Sequence, residues 1–194
     1  MRNTPPNRGR RRDQDAKRRI LQAALELLDE VGFANTTVER IAERSATGKA
    51  TIYRWWPDKT AVIGDALRGA LPDELPFPHT GDLQQDLRTQ LRNVFRLLQG
   101  HRGRVLKAFT LAAQHDAQVA AIFHTVWWEA RRHEARIGLQ KYQDSLLRKN
   151  VDLEVVLDAM YGPICCRLLV GTNCNSTDYA DSLADILFSG IANR

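Results

Sequence analysis

From Gln14 to about Val31 the apolar residues Ile20, Leu21, Ala24, Leu25, Leu28 and Val31 recur at three- and four-residue spacing, the mark of an amphipathic helix. Gly32 follows as a C-terminal glycine that ends it. Thr36 with Glu39 three residues on spells a capping box, so a second helix is expected there, with Val38, Ile41 and Ala42 as a narrow apolar stripe. Ser45 to Gly48 is a run of small residues suited to a sharp reversal. A third helix is predicted from about Lys49 to Trp55, stopping because Trp56 precedes Pro57. Asp58 then caps a fourth, carrying Val62, Ile63, Ala66, Leu67 and Ala70. Two short helices joined by a tight turn are the pattern of a helix-turn-helix.

Pro72, Pro76 and Pro78 forbid a continuous helix and mark a loop. Beyond Gly81 the pattern is helical to the end. Leu83, Leu87, Leu91, Val94, Phe95 and Leu98 form one helix closing at Gly100; Val105, Leu106, Phe109, Leu111 and Ala112 form another; Val119 to about Leu147 reads as a single long one. Leu153 to Leu169 and Tyr179 to Ile191 are two more, apolar enough to need extensive burial. Almost no stretch alternates with period two, so strands are not expected and the fold class is all-α.

Charge is unevenly spread. Residues 1–60 hold 13 Lys+Arg against 8 Asp+Glu, whereas residues 61–194 hold 15 of each, so the whole net charge of +5 lies in the N-terminal third. Arg2, Arg8, Arg10, Arg11 and Arg12 precede the first acid, Asp13, in a stretch with Pro5, Pro6 and Gly9 that has no apolar face. Residues 1–12 are therefore expected to form a basic arm, disordered alone, that either lies along the minor groove or phosphates of DNA or is a solvated tail. With 43% apolar and 26% charged residues the composition is that of a soluble globular protein. No apolar run approaches the about 20 residues of a membrane span, and the Arg-rich start lacks a secretory signal's hydrophobic stretch. Three cysteines, with Cys165 and Cys166 adjacent, make no disulfide framework. A cytoplasmic protein with no membrane partner is expected.

The segment Lys49, Thr51, Ile52, Tyr53, Trp56 and Lys59 resembles the DNA-binding domain of the TetR family of transcriptional repressors, at that family's spacing. Arg54-Trp55-Trp56-Pro57 further resembles the Arg-x-Trp-Pro variant of one subgroup. Ala46 stands where a turn glycine is usual and Gly48 where a serine or threonine cap is usual, a difference of about a few tenths of a kcal/mol at the cap. The resemblance implies a three-helix DNA-binding domain over 13–57 and a larger helical ligand-binding and dimerisation domain over 58–194. The last two helices resemble the family's dimerisation pair. Tyr161-Gly162-Pro163 followed by Arg167, Leu168 and Leu169 is similar to a C-terminal subgroup signature, with Cys165 and Cys166 replacing an aromatic pair. Leu157, Tyr161, Ile164, Cys165, Leu168, Leu183, Ile186 and Leu187 are the implied interface residues. The alternative is that these helices are the core of a monomer; two half-sites of a palindromic DNA operator favour a homodimer.

Within the motif, Lys49 is placed to donate to guanine O6 or N7, while Gly48 and Ala50 allow close backbone approach. Thr51, Tyr53 and Lys59 resemble the family's phosphate contacts, joined by Thr36 and Thr37 at the amide-rich start of the preceding helix. Arg54 and Trp55 face either backbone or base. Trp56 is expected in the core. The family also implies a cavity for an unidentified small-molecule inducer, for which Phe95, Phe109, Phe123, His124, Trp127, Trp128 and Tyr161 are the candidate lining, although an aromatic stripe at helical spacing is more often plain core. His79, His101, His115, His124 and His133 lie too far apart for a metal site, and no cofactor is called for. No phosphate-binding glycine loop and no nucleophile with a nearby base is visible, which disfavours an enzyme. A ligand-responsive DNA-binding repressor remains the leading expectation, with an activator of the same fold or a helical interaction adaptor as alternatives.

Overall fold

The computed structural model describes residues 8–70, 75–172 and 177–192, with side chains from residue 12 onward. Its described residues are helical, with no strand beyond an isolated bridge between Leu147 and Ala192. They fall into two compact units divided after residue 70.

In the first unit α1 (Arg8–Asn35) starts earlier than the apolar spacing indicated, since arginine favours helix as strongly as leucine does. The supposed arm therefore loses residues 8–12 to this helix; residues 1–7 lie outside the described residues. Gly32 does interrupt α1, at φ 74° and ψ 174°. That break has a consequence one turn later. Thr36, 0% exposed, donates its hydroxyl to the Gly32 carbonyl at 2.8 Å, satisfying an acceptor released by the break. Its side chain is thereby turned into the core toward that carbonyl rather than toward the first amides of the next helix. The N-cap of α2 (Val38–Arg44) is Thr37, whose hydroxyl accepts from the Arg40 amide, so the expected Thr36–Glu39 capping box is corrected by one residue.

Val38, Ile41 and Ala42 are buried as their spacing required. The turn to α3 (Lys49–Tyr53) passes through Ala46 at φ 50°, the left-handed region where a Cβ crowds the carbonyl. Gly48, by contrast, is extended at φ −73° and caps without a side-chain bond. Ile52 and Trp56 point inward, and Asp58 caps α4 (Lys59–Ala70) by accepting from the Ala61 amide at 2.8 Å. Val62, Ile63, Ala66 and Leu67 bury α4 on α1, so α4 belongs to the first unit rather than to a domain starting at residue 58.

The second unit contains α5 (Leu83–Leu97), α6 (Gly100–Ala113), α7 (Ala117–Phe123), a π-helical turn (His124–Trp128), α8 (Glu129–Gln140), α9 (Leu153–Val170) and α10 (Thr177–Ile191). The single long helix expected to Leu147 is thus interrupted by the π turn and ends at Gln140. α10 lies along α5, where Arg88 meets Asp185 at 2.7 Å and Arg92 meets Asp181 at 2.5 Å. Before α5, Phe77 anchors the proline-rich loop on α8; a Cβ at Gly138 would stand 2.3 Å from its ring. Asp86 is fully buried and accepts from the Thr80 amide, the Thr80 hydroxyl and the Tyr142 hydroxyl, so its charge is compensated by donors. Arg132, also buried, joins α8 to α9 through Glu154 and Asp158 and stacks 5.1 Å from the Trp128 ring centre.

Two stability experiments follow from these arrangements. Ala46→Gly removes the left-handed penalty and is expected to stabilise the protein by about 0.5–1 kcal/mol in urea unfolding, against a loss if the turn preferred a side chain. Hydrogen bonds from Arg136 and Arg132 hold the Glu154 carboxyl down at about 2, below its ordinary 4.5. A depressed folded-state value stabilises above the unfolded value and is lost on acidification. Glu154→Gln is therefore expected to be less stable than the parent at pH 7, with the gap closing between pH 4.5 and 2; a pH-independent gap would contradict this.

Candidate nucleic-acid interface

α3 has two faces. Ile52 is fully buried and Trp56, just beyond the helix, is 5% exposed, while Gly48, Lys49, Ala50, Tyr53 and Arg54 face outward. Thr51 and Trp55 are half-buried at the boundary, as is Thr37 at the start of α2. Of the motif residues singled out in the sequence, Thr36, Ile52 and Trp56 are inside, whereas Lys49, Tyr53 and Arg54 stand on the exposed side of α3. Tyr53 is 53% exposed, an unusual position for a tyrosine with no ring partner among the described contacts.

The orientation of this face is fixed from behind. The Trp56 indole N–H donates to Asp65 at 3.2 Å; Asp65 pairs with Lys17 at 3.1 Å, and that ammonium lies 5.5 Å from the Trp56 ring centre. Burial pushes the Asp65 carboxyl up, but Lys17 and Trp56 outweigh it and hold the group below its ordinary value. Trp55 meets Trp56 edge to face at 5.5 Å. Trp56 is core, as expected. Lys59 is less free than a simple phosphate contact: its ammonium donates to the Phe33 and Ala34 carbonyls at 2.8 and 3.3 Å and sits 4.4 Å from the Phe33 ring centre, tying the start of α4 to the end of α1.

On the outward face Lys49 lies 3.4 Å from Glu39 of α2, and Arg54 lies 2.9 Å from Asp13 of α1 with its guanidinium 4.7 Å from the Trp55 ring centre. The Glu39 carboxyl sits below its ordinary range, held there by its own backbone amide and by Lys49. The sequence offered Glu39 only as a capping-box acid and Asp13 only as the first acidic residue, and neither pairing was foreseen. Asp13 is 41 positions from Arg54, and no local spacing announces such a pair.

The proposed inducer residues are not one lining. Phe95, Phe109, Trp127 and Tyr161 are buried in the second unit, Phe123 and Trp128 are half-buried, and His124 is exposed near Glu129. His124 is thus corrected to a surface position, on the π turn. Trp128 carries Arg132, and Phe95 meets Tyr179 at 5.7 Å. The buried polar groups missed in the sequence are Gln90, which donates to the Tyr161 hydroxyl, and Arg131, whose carbonyl accepts from that hydroxyl. Among the described residues no group of His, Cys, Asp and Glu is placed to hold a metal, and no helix is long and apolar enough to cross a membrane.

The expected dimer residues need a larger correction. Leu157, Tyr161, Ile164, Leu168 and Leu187 are buried within the single chain, and Cys165 and Leu183 are half-buried. Burial raises the Cys165 thiol to about 11. Of the eight, only Ile186 is exposed, at 70%; the apolar side chains that accompany it are Val155 at 62% and Val170 at 71%. α9 is apolar on nearly every side, so periodicity alone does not distinguish its inner from its outer face.

Residues 20–66 match the family described as "Bacterial regulatory proteins, tetR family", and residues 77–187 match "Tetracyclin repressor-like, C-terminal domain". The chain belongs to the TetR family. It is 41% identical over 185 residues to the uncharacterized HTH-type transcriptional regulator YdeS of Bacillus subtilis (strain 168), covering 95% of this chain and 93% of that one. Among solved structures, the TetR family transcription regulator SCO0332 superposes with a TM-score of 0.71 at 32% identity, over 92% of this chain and all of the other. A TetR family regulator from Marinobacter aquaeolei VT8 shares the fold alone, with a TM-score of 0.66 at 22% identity, over 95% and 100% of the two chains. The protein is therefore a DNA-binding TetR-family transcriptional regulator, and the first unit holds its helix-turn-helix.

Proposed function

We propose that the protein is a ligand-responsive repressor that binds a palindromic operator as a homodimer and is released by a small-molecule inducer. The observation that carries the DNA-reading part is the polarity of α3: a buried Ile52 and Trp56 behind, and Lys49, Tyr53 and Arg54 in front with the small Gly48 and Ala50 beside them. A basic, aromatic ridge on small residues suits close entry into a major groove. Lys49 reads a base edge, and Tyr53 with Thr51 and Thr37 holds phosphates.

Dimerisation is supported by the exposed apolar side chains of the last two helices. Val155, Ala159, Cys166 and Val170 are exposed on α9 at helical spacing over about four turns, and Ile186 is exposed on α10. Such a stripe on a soluble chain calls for a partner surface, and a two-fold pairing presents two reading heads to an inverted repeat. Repression and release by an inducer are supported by the likeness of residues 77–187 to the tetracycline repressor's C-terminal domain. By linkage, the inducer binds the DNA-free form more tightly than the DNA-bound form.

On a panel of singly mutated operators, Lys49→Ala is expected to lose preference, worth about 1–3 kcal/mol, at one base pair of each half-site, whereas Tyr53→Phe weakens every operator alike. Equal loss on all operators for Lys49→Ala would refute base reading. Replacing the exposed Ile186 or Val155 by Asp is expected to give monomers by sedimentation at micromolar concentration with the helical circular-dichroism signal kept; an unchanged dimer would place the interface elsewhere.

A further inference from the structure

The two long cations of the reading face are each held by a carboxylate of the same unit: Lys49 by Glu39 at 3.4 Å and Arg54 by Asp13 at 2.9 Å. All four side chains are more than half exposed, so neither pair contributes much to folding. Yet they are not local accidents of one helix. The acids come from α2 and α1, 10 and 41 positions away, and converge on opposite ends of α3. The Arg54 guanidinium is held on a second side by the Trp55 ring.

Resting on the reading of α3 as the DNA-contacting helix, we infer that Asp13 and Glu39 are positioning residues that set specificity by keeping Arg54 and Lys49 from loose phosphate contacts. Lys49 has three donors and Arg54 five, so a carboxylate that takes one leaves the others free for the groove. A base edge in the correct register is met with the pair intact. On a non-specific duplex the same cation gains only by swinging to a phosphate, which breaks the pair and leaves an acid beside the DNA polyanion. Non-specific affinity, which comes from phosphate contacts and counterion release, is thereby lowered while operator affinity is kept.

The test uses full-length protein, an operator enriched from a random duplex pool by the parent, and a scrambled duplex of the same length. Asp13→Ala and Glu39→Ala are each expected to raise affinity for the scrambled duplex about two- to fivefold more than affinity for the operator. The salt dependence on the scrambled duplex steepens by about one ion. Asp15→Ala makes the same charge change on α1 at an acid whose ion pair among the described residues is with Arg18, at 3.6 Å; it is expected to shift both duplexes by the same factor. If Asp13→Ala and Glu39→Ala also move both duplexes equally, or move neither, the inference is overturned and the reading of α3 stands. If the parent enriches no sequence, that reading fails and the inference with it.

Discussion

A helix of five residues has no stability of its own, so α3 keeps its shape and direction only because Ile52 and Trp56 are driven into the core of the first unit. Trp56 carries the polar part of this anchorage. Its ring is buried, its N–H is satisfied by Asp65 on α4, and Lys17 on α1 closes the triangle by pairing with that carboxylate and lying against the indole. Three helices thus converge behind the exposed face of α3. Whatever Lys49, Tyr53 and Arg54 touch is set by that one anchorage, because the helix that bears them is too short to correct its own orientation.

The same unit shows how backbone requirements propagate. The positive φ of Gly32 ends α1, the freed carbonyl takes the Thr36 hydroxyl, and the cap of α2 moves to Thr37. Lys59 reaches the adjacent Phe33 and Ala34 carbonyls, so the end of α1 is closed by a cation, which is also the favourable charge there. The turn before α3 runs through a left-handed Ala46 where glycine is the easier residue. These are small terms individually, but they sit in series between α1 and α3.

Much of this was legible in the chain itself. Proline and capping signals placed the start of α4 and the beginning of α3, which ends at Tyr53 rather than Trp55; apolar spacing gave Ile20, Ala24, Leu25 and Leu28 their burial, and Trp56 lies in the core as expected. The failures have physical causes. A Thr-Thr pair offers two caps, and which one serves depends on which side chain the fold turns inward, here Thr36 onto the Gly32 carbonyl. α9 is apolar around most of its circumference, so the residues that look most like an interface, Leu157, Ile164 and Leu168, are those the chain buries for itself, and the exposed Val155 and Val170 passed unnoticed. The Asp13–Arg54 pair joins residues that only the fold brings together. The π turn at His124–Trp128 has no spacing signature, which is why one long helix was expected and His124 was assigned to the interior.

The central claim is that the face of α3 reads duplex DNA and is doubled by two-fold pairing through α9 and α10. Sequencing the duplexes that purified protein enriches from a random pool tests it most directly. The account predicts an inverted repeat whose two half-sites are centred about one helical turn, ~35 Å, apart or a multiple of it. Enrichment of a solitary half-site, or of no sequence at low salt, would contradict it.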